Sequence, residues 1–340
     1  MTAPESLPTT HKALKVSGPG HVYVSEDASV PSPDRSELLV RVACISINQV
    51  DCKSADLSPT PGATSGTDFS GVVVALGSDV DAEAWHVGDR IMAGIFGNNP
   101  LRRDNGAFAE YAVVPARLAW RIPASMDLAT AASLPAALAT VGLSLFQYMK
   151  MTMPDNTAGA LQLSSNTDSA GASNVANPAT YLGAAATFDY RSPSCGADIL
   201  SYTQGALTLA LDCISDSDSM TTCYKALGPA GGRYVALDPF PLRGHTRRSV
   251  EPDWVCCYTQ FGHDVAWAPP FDLDARVDDR NCAEAWYVLA QRLLDEGLVV
   301  PQPLEVRRGG LAGVGEGMQE VRRGLIKGRK LVYSVAEIAV

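Results

Sequence analysis

Between Leu161 and Gly171 the chain reads LQLSSNTDSAG, an apolar strand end followed by hydroxyl, amide and small residues. A turn of this kind after a strand is where backbone amides can cradle a phosphate. The strongest form of the device is G-x-G-x-x-G, leading into a helix whose N-terminal amides meet the anion. Here only Gly171 supplies a glycine. Asp168 adds a negative charge where the anion would sit, which Coulomb repulsion disfavours. Residues 172–177 are too few and too polar for a crossover helix, and Pro178 breaks the segment. A βαβ unit takes about 30 residues or more, and the room from Leu161 to the next expected strand, Ala186-Thr187-Phe188, is less. Any remaining grip on a phosphate would rest on the amides of Asn166, Ser169 and Gly171.

A second chemical segment is Asn48-Gln49-Val50-Asp51-Cys52-Lys53, where the chain leaves a β-rich run. Asp51 is suited to fixing that turn by accepting from backbone amides. Further on, Trp254, Phe261, Trp267 and Phe271 make an aromatic-rich stretch that could pack a core or line an apolar site. The eight cysteines are scattered with no C-x-x-C pair, so neither a zinc ribbon nor a redox dithiol is indicated. Free thiols in a reducing cytoplasm are the expectation. The formal net charge of -10 argues against nucleic acid or an anionic membrane as partner. No apolar run is long enough to span a bilayer, and residues 1–11 read as a disordered tail without a signal pattern.

These segments need elements to position them. Lys12–Val16 and His21–Val24 read as strands around a Gly-Pro-Gly turn, followed by β-rich runs at Glu37–Ile47, Gly66–Gly77, Val87–Ala93 and Gly106–Val114. Many short strands at close spacing predict a compact β-barrel-like domain. From Asp127 the pattern changes. Helices are expected at Leu128–Leu134 and Leu138–Met149, a buried strand at Leu207–Cys213, a helix at Ser219–Leu227 and a strand at Gly231–Leu237. Helices at Ala283–Glu296 and Leu311–Arg323 and a last strand at Lys330–Ser334 return to the first domain.

The segments GTDFSGVVVALG, VGDRIMAGIFG, GAFAEYAVV, ALDCI, GPAGGRYVALDPFP and LVYSV resemble the medium-chain dehydrogenase/reductase superfamily. Within it, NQVDCKSAD, SLFQYMKMTMPD, FDYRSP and the DW, FG and PP run after Asp253 are similar to the trans-acting enoyl reductases of fungal polyketide synthases, the lovastatin-pathway type. The resemblance implies an α/β fold. A GroES-like β-barrel catalytic domain (residues 12–130 and 263–340) joins a Rossmann-like doubly wound domain (residues 131–262) that lacks its first βαβ unit. It also implies a monomer, and NADPH as hydride donor to an α,β-unsaturated thioester of a polyketide synthase. By the same resemblance Lys53 and Thr140, with Asp51, are catalytic candidates. Asn48, Ile214, Phe240, Trp254, Phe261, Trp267 and Phe271 become substrate-lining candidates. Zinc is not expected, because Thr67-Asp68 stands where zinc-dependent relatives carry His-Glu.

The departure from the family lies in the phosphate turn. About twenty residues of the family pattern are missing, and no basic residue stands between Lys150 and Arg191 to meet a 2′-phosphate. The expectation is therefore an enoyl-reductase-like enzyme that needs no cofactor and acts as a cyclase, of pericyclic [4+2] type, or as an isomerase on a polyketide chain. Holding reacting ends in near-attack geometry requires no cofactor. The alternatives are a working NADPH-dependent trans-acting enoyl reductase and a non-catalytic scaffold docked on a synthase.

Overall fold

The computed structural model describes residues 7–155 and 184–336. Asn166, Ser169 and Gly171 lie outside the described residues. By internal contacts the chain divides into two units, residues 1–139 with 258–340, and residues 140–257. Residues 131–139 and 258–262 thus pack with the first unit.

The first unit is built on β3, Glu37–Ser46, which is buried along almost its whole length. Its sequence, ELLVRVACIS, is apolar at consecutive positions, as a strand covered on both faces must be. β3 pairs antiparallel with β4 (Asp68–Leu76), β6 (Tyr111–Pro115) and β12 (Lys330–Ser334). The sheet continues to β5 (Arg90–Gly94) and β7 (Trp120–Arg121) on one side and β11 (Leu304–Arg307) on the other. A hairpin of β1 (Thr10–Gly18) and β2 (His21–Ser29) stands beside it. Leu38, Val40, Ile45, Phe69, Ile91, Phe108 and Tyr333 fill the core. Three helices complete the frame: α1 (Gln49–Leu57), α2 (Leu128–Ala132) and α3 (Pro135–Gly142). Asp127 starts α2 by accepting from the Thr130 amide at 2.8 Å.

The second unit opens on a π-helical stretch, Leu143–Tyr148, continuing from α3. Its described part holds a parallel sheet in the order β10 (Val250–Trp254), β9 (Gly232–Ala236), β8 (Leu209–Asp212). The helices α4 (Cys195–Tyr202) and α5 (Ser217–Ala226) pack on each other. Asp216 caps α5, its Oδ1 accepting the amides of Asp218 and Ser219. The remaining helices, α6 (Val277–Asp295) and α7 (Gly310–Arg322), belong to the first unit.

Several expectations are corrected. Ala186-Thr187-Phe188 is not a strand; Thr187 alone makes a bridge. The run Leu207–Cys213 is not a buried strand, since within β8 only Asp212 is buried. The helix expected from Leu138 to Met149 ends at Gly142 and turns π-helical. α6 begins at Val277, before the apolar periodicity starts. Neither α4 nor β10 carries a clear sequence signal: α4 is short, and β10 reads VEPDW, with a proline and two acids.

A buried carboxylate site and its family

Two carboxylates of the first unit are the most deeply buried charges near the NQVDCK turn: Asp51 is 1% exposed and Asp68 is 0%. α1 starts directly after Asn48, whose amide donates to Asp51 Oδ2 at 2.7 Å, so Asp51 fixes the first turn of its own helix. Its other oxygen accepts from the Thr67 hydroxyl at 2.7 Å. Thr67 Oγ1 also lies 2.6 Å from the Tyr258 hydroxyl. A threonine hydroxyl has one proton, and giving it to Asp51 leaves an acceptor for Tyr258. With Asp51 ionised, the order of donation is Tyr258 to Thr67 to Asp51.

Asp68 opens β4 beside Thr67. Its Oδ1 accepts the Ala136 amide at 2.8 Å. Its Oδ2 takes Lys330 Nζ at 3.0 Å and Asn48 Nδ2 at 2.9 Å. Lys330 also donates to Asn48 Oδ1 at 2.5 Å. Lys330 and Asp68 therefore form a buried ion pair bridged by the amide of Asn48. Tyr258 stacks on Phe96, and Trp267 meets both rings edge-on. Trp267 Nε1 donates to Asn98 O at 3.0 Å. The backbone before Thr67 is set by Gly66, at φ +98, where a Cβ would lie 2.3 Å from Phe108.

Burial is the largest influence on Asp51 and pushes its carboxyl up to about 7, with the Asp68 charge adding to the rise. The Asn48 amide, Thr67 and Lys330 oppose it. A carboxyl held near neutrality can give or take a proton in the range where enzymes work. Among the described residues no group of three or more His, Cys, Asp or Glu is placed to hold a metal.

The candidates named from the sequence divide as follows. Asp51 and Asn48 fall inside the carboxylate network. Lys53 is half-buried on the same helix. Trp267 is buried in the ring cluster with Phe96 and Tyr258, and Phe261 and Phe271 are half-buried in the same unit. Trp254 instead ends β10 of the second unit and packs on that unit's core with Phe240. The four rings expected to form one apolar stretch are thus divided between the units. Thr140 is half-buried where the second unit begins. Thr67, Tyr258 and Lys330 have roles that no local pattern in the sequence announces.

In the second unit the three parallel strands end in register at Asp212, Ala236 and Trp254. Ligands of open α/β sheets sit outside such carboxyl ends. Asp212 is consumed by the fold: it accepts the Ile214 and Ser215 amides at 2.9 Å and the Ser219 and Tyr234 hydroxyls at 2.7 Å. Ile214, just beyond it, is 66% exposed. A dinucleotide laid across this edge would meet Ile214 and the loop carrying Asp238 and Phe240. The residues that would meet its phosphates fall in 156–183, outside the described residues.

The fold is that of the medium-chain dehydrogenase/reductases. Residues 34–124 match the alcohol dehydrogenase GroES-like domain. Among solved structures the chain is similar to a putative zinc-dependent alcohol dehydrogenase from Rhizobium etli CFN 42 (TM-score 0.75, 21% identity, 97% and 99% of the two chains). It is also similar to the CurK enoyl reductase (TM-score 0.72, 14% identity, 96% and 99%). Curated relatives carry the assignment further. The chain is 57% identical to the trans-enoyl reductase iccB of Talaromyces variabilis, over 97% of each chain. It is 56% identical to the trans-enoyl reductase iliB of Hypocrea jecorina (strain QM6a), over 99% of this chain and 98% of that one. The chain belongs to the trans-enoyl reductase family.

The two alignments differ in length. The match to iccB runs over 365 positions, more than this chain's 340 residues, so part of that relative faces a gap here. The match to iliB of Hypocrea jecorina runs over 346 positions while covering 99% of this chain. No long stretch of that reductase is missing from this chain.

Proposed function

We propose that this protein is an NADPH-dependent trans-acting enoyl reductase that acts on an α,β-unsaturated thioester carried by a fungal polyketide synthase. The observation that carries the reading is the 56% identity to iliB of Hypocrea jecorina, end to end, in a relative little longer than this chain. The missing residues of the phosphate turn, which made a cofactor-free cyclase the leading expectation, thus weigh less than they do in the sequence alone.

When bound, NADPH would supply the hydride that saturates the enoyl group, with the balancing proton drawn from solvent or an acid of this chain. Ile214 and the loop of Asp238 and Phe240 would hold the nicotinamide end, and Asn166, Ser169 and Gly171 the phosphates. Lys53 and Thr140 are the groups proposed to polarise the thioester carbonyl. Asp51, through Thr67 and Tyr258, fixes the turn that presents Lys53 and holds an exchangeable proton near neutral pH. Asn48, Phe261, Trp267 and Phe271 of the first unit, and Trp254 of the second, are proposed substrate-lining residues. A cytoplasmic monomer that receives its substrate from a separate synthase is part of this reading.

A second reading remains the redox-independent [4+2] cyclase or isomerase. It is favoured by one sequence observation, a phosphate turn with Gly171 as its single glycine and Asp168 inside it. Incubation with NADPH and a crotonyl or hexenoyl thioester separates the two readings. Loss of absorbance at 340 nm with formation of the saturated thioester supports the reductase. Unchanged NADPH, together with cyclisation of a linear polyene, supports the second reading.

A further inference from the structure

The described surface of the second unit carries a cavity of about 870 Å³ that runs along α5 and has no part in the carboxylate network. Its floor is apolar, with Leu227 and the Tyr224 ring, and its walls carry Lys225, Arg243, Arg247 and Thr246. No aspartate or glutamate lines it. Two acids flank the lining residue Ser217: Asp216 caps α5 and Asp218 lies in its first turn.

The three cations differ in their state. Arg247 is part of the construction: Nη1 donates to the carbonyls of Tyr224 and Leu227, and Nη2 to that of Gly228. It closes the C-terminal end of α5, where the helix dipole favours a positive charge, and it forms no ion pair with a carboxylate among the described residues. The loop is held a second time by the Tyr224 hydroxyl, 2.9 Å from His245 Nδ1. Lys225 and Arg243 form no ion pair with any described residue. Leu242, beside Arg243, is 81% exposed. The outcome is an open trough with a fixed cationic wall and an exposed leucine next to it, on a chain whose net charge is -10.

We infer that this trough docks an acidic amphipathic helix of a protein partner, with carboxylates facing Lys225, Arg243 and Arg247 and apolar side chains over Tyr224, Leu227 and Leu242. Charge complementarity selects the occupant: a helix with carboxylates on one face and apolar side chains on the other matches both floor and wall. The inference rests on the reading that the substrate arrives on a separate protein, and it names the surface that protein would use. An open trough with an apolar floor suits a helix better than a free phosphate, which needs only the cations.

The test uses the full chain and a fluorescein-labelled amphipathic peptide with glutamates on one face and leucines on the other, read by anisotropy. A peptide with lysines in place of the glutamates and inorganic phosphate serve as controls. Binding of the acidic peptide, weakened about tenfold or more by Lys225→Glu with Arg243→Glu and weakened again as salt rises, is the expected result. Equal binding of the lysine peptide, no loss in the double variant, or displacement by millimolar phosphate would overturn the inference. The thermal midpoint of the double variant confirms that it is folded, and Arg243→Gln alone gives a milder step in the same direction. Reduction of a small soluble thioester is read separately, so failure of the reductase reading is not confused with failure of the docking surface.

Discussion

Thr67 stands between Asp51 and Tyr258, donating to the carboxylate at 2.7 Å and lying 2.6 Å from the phenol. The direction of this chain of hydroxyls depends on whether Asp51 is ionised. When it is, both protons point toward it; when Asp51 is protonated it can donate in turn, and the order can reverse. The turn that carries Lys53 is thereby tied to a group that titrates near neutrality.

Asp51 has a folded value near 7 against an ordinary value of 3.8. Its neutral form is the one the fold prefers, so its contribution is fully present below pH 3.8 and is lost as pH rises through 7. Urea unfolding from pH 4 to pH 8 should show wild type losing roughly 2–4 kcal/mol more than Asp51→Asn over that span. Parallel pH profiles for the two proteins would show that the site does not hold Asp51 as described.

His11 acts in the opposite sense. Burial is the main cause holding it down to about 4, with the Lys15 charge adding to the effect. Its Nδ1 accepts the Tyr111 amide at 3.1 Å, which places the neutral ring's proton on Nε2. Stability from His11 is present above pH 6.5 and is lost as pH falls toward 4, by about 3 kcal/mol. The two groups oppose each other between these limits, so His11→Asn and Asp51→Asn should change the pH profile in opposite directions. Titration of the His11 ring by NMR should give a midpoint well below 6.5.

The Lys330–Asp68 pair is buried on both sides. Removing one partner leaves the other charge stranded. Lys330→Met should cost about 3–5 kcal/mol in denaturant unfolding, and adding Asp68→Asn should recover part of it. A loss no greater than that of a surface pair would show that water reaches the site.

Gly66 sets the approach to Thr67. A Cβ there meets Phe108 at 2.3 Å in a backbone conformation that L residues rarely adopt. Gly66→Ala should destabilise by about 2 kcal/mol or more and, by displacing Thr67, shift the pH dependence seen for Asp51. Thermal unfolding at pH 5 and pH 8 checks both effects.

Much of this was legible in the sequence. Consecutive apolar positions gave away β3 and β12, and the run Gly66–Gly77 placed β4, which begins two residues later at Asp68. The resemblance pointed to the trans-enoyl reductases, which the end-to-end relatives bear out. The site was less legible, because its contacts are long-range. Tyr258 reaches Thr67 and Lys330 reaches Asp68 across most of the chain, and hydrophobic period says nothing of such pairs. Lys330 read only as the first residue of a strand. Trp254 looked like a neighbour of Trp267 because thirteen positions separate them, yet the boundary between the units falls in that interval. The phosphate turn favours a cofactor-free reading when taken alone, and nothing in one chain says which absences its relatives share.

The central claim is tested most directly by titrating the full-length protein with NADPH in a calorimeter and then adding an enoyl thioester. The account predicts saturable binding, followed by oxidation of the nucleotide in step with the saturated thioester. No heat, no oxidation and an unchanged thioester would contradict it.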